Sequence, residues 1–117
     1  MSAKIIIIDD DSSTLESIGS YLKELGFEVT TATNGVDGLE LIKIYRPDLV
    51  ISDVKMPKLG GVELNFILKG MNFRKPIIFI SAFEKENVSK AEDYFAFIPK
   101  PIDIFELTRQ VNRALAS

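Results

Sequence analysis

The feature that most constrains this fold is the alternation between short apolar runs and segments with helical periodicity. The apolar runs lack the in–out alternation of a sheet that has one face in water. Strands of this kind are buried on both faces, which is typical of a parallel sheet covered by helices. In chain order, the five predicted strands are Lys4–Ile8, Phe27–Thr31, Leu49–Ser52, Ile77–Ser81 and Tyr94–Ile98.

Five helices are predicted between and after these strands. In the first, apolar residues recur on one face, with Ser12 or Ser13 as the expected N-cap and Gly26 as the expected stop. Asn34 is predicted to cap the second helix rather than to form a hairpin turn, because a helical pattern follows it. The fourth helix, Glu84–Asp93, has the weakest pattern.

Strict strand–helix alternation without a linker or repeat predicts a single α/β domain over residues 1–117. Right-handed crossovers would give an open, doubly wound parallel sheet with helices on both faces. In such sheets, ligands bind beyond the carboxyl ends of the strands. The residues that follow each strand are therefore the first candidates for a functional site.

Composition excludes several classes of chemistry. The chain has no histidine and no cysteine, so it offers neither imidazole nor thiolate groups. A net charge of −3 without a run of Lys or Arg argues against direct nucleic-acid binding. The apolar run Ile5–Ile8 is too short to be a signal peptide or to span a membrane. We expect a cytoplasmic protein that binds neither nucleic acid nor membrane.

Charged side chains follow three of the predicted strands. Asp9, Asp10 and Asp11 follow the first strand, Asp53 follows the third, and Lys100 follows the fifth. Two carboxylates about 4 Å apart repel by about 4 kcal/mol at an effective dielectric constant of 20. The acids therefore either point into water or surround a cation, and Mg²⁺ prefers such oxygen ligands. Asp10 or Asp11 alone would more often be a helix cap.

Four motifs, in this order and spacing, resemble the receiver (CheY-like) domain of two-component response regulators. The resemblance extends from about residue 4 to residue 115, and its motifs are "IIIIDDD", "PDLVISDVKMPKLGG", "PIIFISA" and "FIPKP". It implies a flavodoxin-like fold with strand order 2-1-3-4-5. That order comes with the resemblance and does not follow from the residues alone.

The resemblance also implies a metal-dependent phosphoacceptor site. Asp53 would accept a phosphoryl group from a histidine kinase or phosphotransfer protein. Asp10 would bind Mg²⁺ directly and Asp9 through water, and the main-chain carbonyl of Lys55 would be a further protein ligand. Asp53 would complete this metal site.

Three further residues would act on the phosphoryl group or respond to it. By resemblance, the Ser81 hydroxyl would meet the phosphoryl oxygens, and Lys100, aimed by a cis Lys100-Pro101 bond, would pair with the phosphate. Phe97 would be a switch aromatic that enters the space which Ser81 leaves. The phosphorylated form would be recognised by a downstream effector protein or by an output domain outside this chain, as in a two-component system or phosphorelay. The receiver itself would be a signalling domain and not an enzyme.

Other interpretations remain open at this stage. Asp9-Asp10-Asp11 after an apolar strand fits a haloacid-dehalogenase-type phosphatase with Asp9 as the nucleophile, although 117 residues leave little room for its usual core. A receiver that serves only for docking is a further alternative. The side chains of Lys55 and Phe83 are expected to shield the phosphoryl group and to slow its hydrolysis.

Overall fold

A computed structural model describes residues 2–82 and 94–117. Its centre is a five-stranded parallel sheet with strand order β2-β1-β3-β4-β5, which confirms the predicted flavodoxin-like topology. The elements are β1 Lys4–Ile8, α1 Ser12–Glu24, β2 Glu28–Ala32, α2 Gly35–Tyr45, β3 Leu49–Asp53, α3 Gly61–Gly70, β4 Ile77–Ser81, β5 Ala96–Pro99 and α4 Ile104–Ala116. The predicted helix at Glu84–Asp93 lies outside the described residues.

Successive side chains of β1 point to opposite faces of the sheet, as the strand period requires. Ile5 and Ile7 pack into one apolar cluster with α1 and α4. Ile6 and Ile8 pack into a second cluster with α2 and α3. Helices therefore cover both faces, and a strand without polar alternation has no face in water. None of the helices in the described ranges is long and apolar enough to cross a membrane.

The predicted N-cap of α1 is wrong by one or two residues. Asp11, and neither Ser12 nor Ser13, caps this helix, since its backbone is extended and its carboxylate accepts from the Ser13 main-chain N–H at 3.0 Å. The hydroxyls of Ser13 and Thr14 donate to the same carboxylate at 2.7 and 3.0 Å. A carboxylate also interacts favourably with the positive end of the helix dipole, which a hydroxyl does less strongly.

Other boundaries agree more closely with the sequence pattern. Asn34 caps α2 and accepts from the Asp37 main-chain N–H at 2.9 Å, as predicted. Gly26 follows the end of α1 with φ of 98°, a left-handed conformation that favours glycine. The second strand is shifted by one residue, and the fifth begins two residues later than predicted and includes Pro99.

The register brings the strand ends to one edge of the sheet. Ile8 pairs with Ala32 on one side and with Ser52 on the other, so Asp9 and Asp53 both follow directly at that edge. Asp53 in turn pairs with Ile80 of the neighbouring strand. The chemistry-bearing residues of separate segments are thus adjacent because the strands are parallel and in register.

Candidate functional site

Three carboxylates converge at the carboxyl edge of the sheet. Asp9, Asp10 and Asp53 each place one oxygen so that the three atoms lie within 4.8 Å of one another. Asp9 is fully buried, Asp53 is 6% exposed, and Asp10 is open to water. An all-oxygen donor set with one open side fits a hard divalent cation that keeps some of its water ligands. Asp11 does not join this cluster, because its carboxylate caps α1.

Lys100, which directly follows β5, contacts two of these carboxylates. Its Nζ lies 2.8 Å from Asp9 Oδ2 and 3.3 Å from Asp53 Oδ2. The Lys100 main-chain N–H donates to the Ser81 carbonyl at 2.8 Å, which ties the end of β5 to β4. The Lys100-Pro101 peptide bond is cis, as the sequence motif predicts. One ammonium group therefore contacts two carboxylates from different strands.

The Asp53 side chain is fixed by two different donors. Oδ1 accepts from the Val54 main-chain N–H at 2.7 Å, while Oδ2 faces Lys100. The Ser52 hydroxyl donates to the Asp53 main-chain carbonyl at 2.9 Å. The carboxylate is therefore held in one orientation with an oxygen toward the acidic cluster.

Gly61, which was not among the predicted site residues, helps to fix the position of Asp53. A Cβ at Gly61 would collide with the Asp53 main-chain carbonyl oxygen. Its N–H also donates to the Val54 carbonyl at 2.8 Å. The first residue of α3 thus packs directly on the backbone of Asp53, which only glycine permits. The "GG" at the end of the second motif, "PDLVISDVKMPKLGG", was the available signal.

Burial and pairing change the ionisation of the cluster. Burial raises the pKa of Asp9 and outweighs the opposing effects of the Lys100 hydrogen bond and of the Asp11 main-chain N–H. For Lys100, burial acts to lower the pKa. The hydrogen bond to Asp9 and the attraction of both carboxylates outweigh it, so that pKa is raised. Hydrogen bonds from Ser13 and Thr14 lower the pKa of Asp11.

The remaining predicted site residues lie nearby. Ser81 is buried at the end of β4, next to Pro99 of β5. Phe97 is partly buried against the second core cluster and pairs in register with Phe79. Lys55 is exposed, two residues beyond Asp53. The roles of Ser81 and Phe97, and the Lys55 carbonyl as a metal ligand, stay predictions. Phe83 lies outside the described residues.

Comparison with known proteins decides the family. The sequence model described as "Response regulator receiver domain" matches residues 5–112. This chain belongs to that family. A receiver domain is a signalling domain, and membership does not favour the haloacid-dehalogenase-type phosphatase with Asp9 as nucleophile.

Individual receiver-containing proteins support the same assignment. The chain is 34% identical over 123 aligned positions to the response regulator MprA of Mycobacterium tuberculosis, covering 98% of this chain and 51% of that protein. It thus spans about half the length of the curated relatives that it matches.

Solved structures agree in fold. The receiver domain of the Francisella response regulator 1452 superposes with a TM-score of 0.91 at 30% identity, covering 98% of both chains. The chemotaxis protein CheY4 of Vibrio cholerae gives a TM-score of 0.87 at 26% identity, covering 98% of this chain and all of that one.

Proposed function

We propose that residues 1–117 form a single receiver domain that accepts a phosphoryl group on Asp53. The donor would be a phosphohistidine on a histidine kinase or phosphotransfer protein of a two-component system or phosphorelay. The observation that carries this proposal is the convergence of Asp53 with Asp9, Asp10 and the Lys100 ammonium. Such a cluster can hold a cation and an incoming phosphate together.

The proposed transfer is a displacement at phosphorus. One Asp53 carboxylate oxygen forms the new O–P bond while the phosphorus–nitrogen bond of phosphohistidine breaks, and the histidine nitrogen keeps the electron pair of that bond. Positioning and charge neutralisation provide most of the catalysis in such loose transition states. The Val54 N–H orients the nucleophile, and Lys100 places a positive charge beside it.

The residues present fit Mg²⁺ as the cofactor. Asp9, Asp10 and Asp53 supply closely spaced oxygens, and we propose the Lys55 main-chain carbonyl as a further ligand. A bound Mg²⁺ would neutralise charge on the phosphoryl oxygens. In the absence of Mg²⁺, the Lys100 ammonium offsets the charge of the buried Asp9 carboxylate.

The proposed output is a change of protein contacts. The Ser81 hydroxyl would donate a hydrogen bond to a phosphoryl oxygen, and Phe97 would move into the space that Ser81 leaves. Phosphorylation biases such an equilibrium only by what it stabilises in one of the two states. The partner that recognises the phosphorylated form would be an effector protein or an output domain in the cytoplasm. The receiver domain itself would not contact nucleic acid or membrane directly.

The test is covalent phosphorylation from acetyl phosphate in the presence of Mg²⁺. Intact-mass spectrometry should show one added phosphoryl group on the native protein and none on Asp53→Asn. Glu24→Gln, which changes an exposed carboxylate at the end of α1, is the matched control and should be phosphorylated like the native protein. Full incorporation into Asp53→Asn would refute the assignment of the acceptor.

A further inference from the structure

A groove lies at the opposite edge of the sheet from the acidic cluster. It runs between the carboxyl-terminal ends of α2 and α3 and the segment that leads into β4, with a volume of about 700 Å³. Small-molecule sites commonly fall between about 300 and 1,000 Å³ and combine apolar lining with a few convergent polar groups. This groove has that size, and its place in the fold separates it from the phosphoacceptor site.

The charged residues that line this groove are all positive. Of its ten described lining residues, four are cationic and none is acidic, although the chain as a whole carries −3; the four are Lys43, Arg46, Arg74 and Lys75. Two carboxylates close in sequence to the lining residues have partners of their own. Asp48 accepts from the Lys4 main-chain N–H at 2.8 Å, and Glu40 forms an exposed 3.4 Å pair with Lys43.

Helix capping accounts for only two of these cations. Lys43 lies in the last turn of α2 and Arg46 is its C-cap, so both interact with the negative end of the helix dipole. Arg74 and Lys75 follow the last residue of α3 by four and five positions, beyond the reach of that effect. Interaction with the dipole of α3 therefore does not explain why Arg74 and Lys75 are positively charged.

The ends of two helices form part of the groove. Arg46 and Asn72 end α2 and α3 in left-handed conformations, with φ of 49° and 63°, as is common at helix C-termini, and both line the groove. The Asn72 side chain accepts from Arg74 at 3.0 Å, which holds that guanidinium beside the groove.

Apolar side chains form the other half of the surface. Met71 is 47% exposed and Phe73 is partly buried, above the buried Ile42 and Leu68. Guanidinium groups recognise phosphate through paired hydrogen bonds, and ammonium groups act as point charges. An occupant with both an apolar body and an anionic group would use both halves.

We propose that this groove binds an organic phosphate of the nucleotide type. Its phosphates would contact Arg74 and Lys75, and its ring would pack against Met71 and Phe73. A ligand of this kind would bind at the amino-terminal edge of the sheet while the carboxyl edge stays open to phosphotransfer. The site goes beyond the receiver function and does not depend on Asp53.

The experiment is a titration with ADP in EDTA, followed by isothermal calorimetry and by backbone amide chemical shifts. EDTA prevents recruitment of a metal–nucleotide complex to the acidic cluster. Inorganic pyrophosphate and adenosine are titrated separately to represent the two halves of the ligand. We expect saturable shifts at Arg46 and Asn72 with ADP, and at least about five-fold weaker binding of either half alone.

Variants separate a built site from general charge attraction. Lys75→Glu should weaken ADP binding about ten-fold, and Arg74→Glu should act in the same direction. Lys23→Glu, an exposed lysine on α1 across the sheet, makes the same charge change and should leave the affinity unchanged. Circular dichroism melts should show that all three variants fold.

Met71→Ser tests the apolar half. It should weaken ADP several-fold and leave pyrophosphate binding unchanged. Equal losses for Lys75→Glu and Lys23→Glu, or pyrophosphate binding as tight as that of ADP with no effect of Met71→Ser, would overturn the proposal. Absence of saturable shifts at the groove would overturn it as well. None of these results bears on phosphorylation of Asp53.

Discussion

The two edges of the sheet carry opposite charges in opposite environments. At the carboxyl edge, Asp9 and Asp53 are buried and share the Lys100 ammonium. At the amino-terminal edge, the four cations of the groove are exposed. Buried charges depend on their partners, because removal of one partner leaves the other uncompensated in a poor solvent. Exposed charges can be exchanged at little cost in stability, so that edge is free to serve binding.

The largest expected difference between the edges comes from removal of one lysine at each. Lys100→Met should destabilise the metal-free protein by about 3 kcal/mol, because the Asp9 carboxylate loses its cation. Lys100 keeps 19% side-chain exposure, which favours the lower end of the usual range for broken buried pairs. Lys75→Met should change the free energy of unfolding by less than about 0.5 kcal/mol.

Urea unfolding of both variants in EDTA makes this comparison direct. Equal destabilisation by the two substitutions would contradict the contrast between buried and exposed edges. A stable Lys100→Met protein would mean that Asp9 does not rely on the ammonium group.

A smaller effect of opposite sign is expected for Asp9→Asn. Burial raises the pKa of Asp9, so the fold favours the protonated acid. That contribution is fully present below the usual aspartate pKa of 3.8 and is lost as pH rises through the raised pKa of the folded state. At pH 7 in EDTA the variant should therefore be more stable than the native protein. Lys100 retains Asp53 as a partner.

The pH dependence distinguishes this explanation from a general effect of the amide. The stability difference between Asp9→Asn and the native protein should close as pH falls toward 3.8. Millimolar Mg²⁺ should also reduce it, because a metal that binds the native cluster stabilises the fold by linkage. A difference that stays constant from pH 3 to pH 8 would contradict the role given to burial.

The smallest effect on stability is expected at Lys55, an exposed cation at the carboxyl edge. Lys55→Asn should leave the free energy of unfolding within about 0.5 kcal/mol. If its side chain hinders the attacking water, the variant should lose its phosphoryl group a few-fold faster. Decay of the phosphorylated protein by mass spectrometry checks this, and equal half-lives would rule out the shielding.

The fold class could be predicted from the sequence because the apolar pattern of the strands indicates burial on both faces of the sheet. Four consecutive isoleucines leave no polar position for a solvent-facing side, and the structure distributes them between two cores. The positions of Asp9, Asp53 and Lys100 after separate parallel strands then predicted that they lie at one edge of the sheet. The strand order itself came from family resemblance, since apolar patterning does not specify which strands are neighbours.

Local competition and long-range proximity limited the remaining predictions. Asp11, Ser12 and Ser13 were all possible N-caps of α1. Asp11 is the cap because its carboxylate interacts with the helix dipole and accepts three hydrogen bonds, from the Ser13 N–H and the hydroxyls of Ser13 and Thr14. The need for glycine at position 61 was not predicted, because it arises from a close contact with the backbone of Asp53 that the sequence does not reveal. The basic groove joins Lys43 to Lys75 across more than thirty residues, without a periodic signal.

The most direct test of the acidic cluster uses beryllofluoride, a stable mimic of the phosphoryl group. Fluorine NMR should show one protein-bound adduct in the presence of Mg²⁺, and the adduct should disappear in EDTA and in Asp53→Asn. Lys100→Met should weaken it, while Lys75→Met should leave it unchanged. An adduct that forms without Mg²⁺, or that survives Asp53→Asn and is lost in Asp9→Asn, would contradict the assignment of Asp53 as the phosphoacceptor.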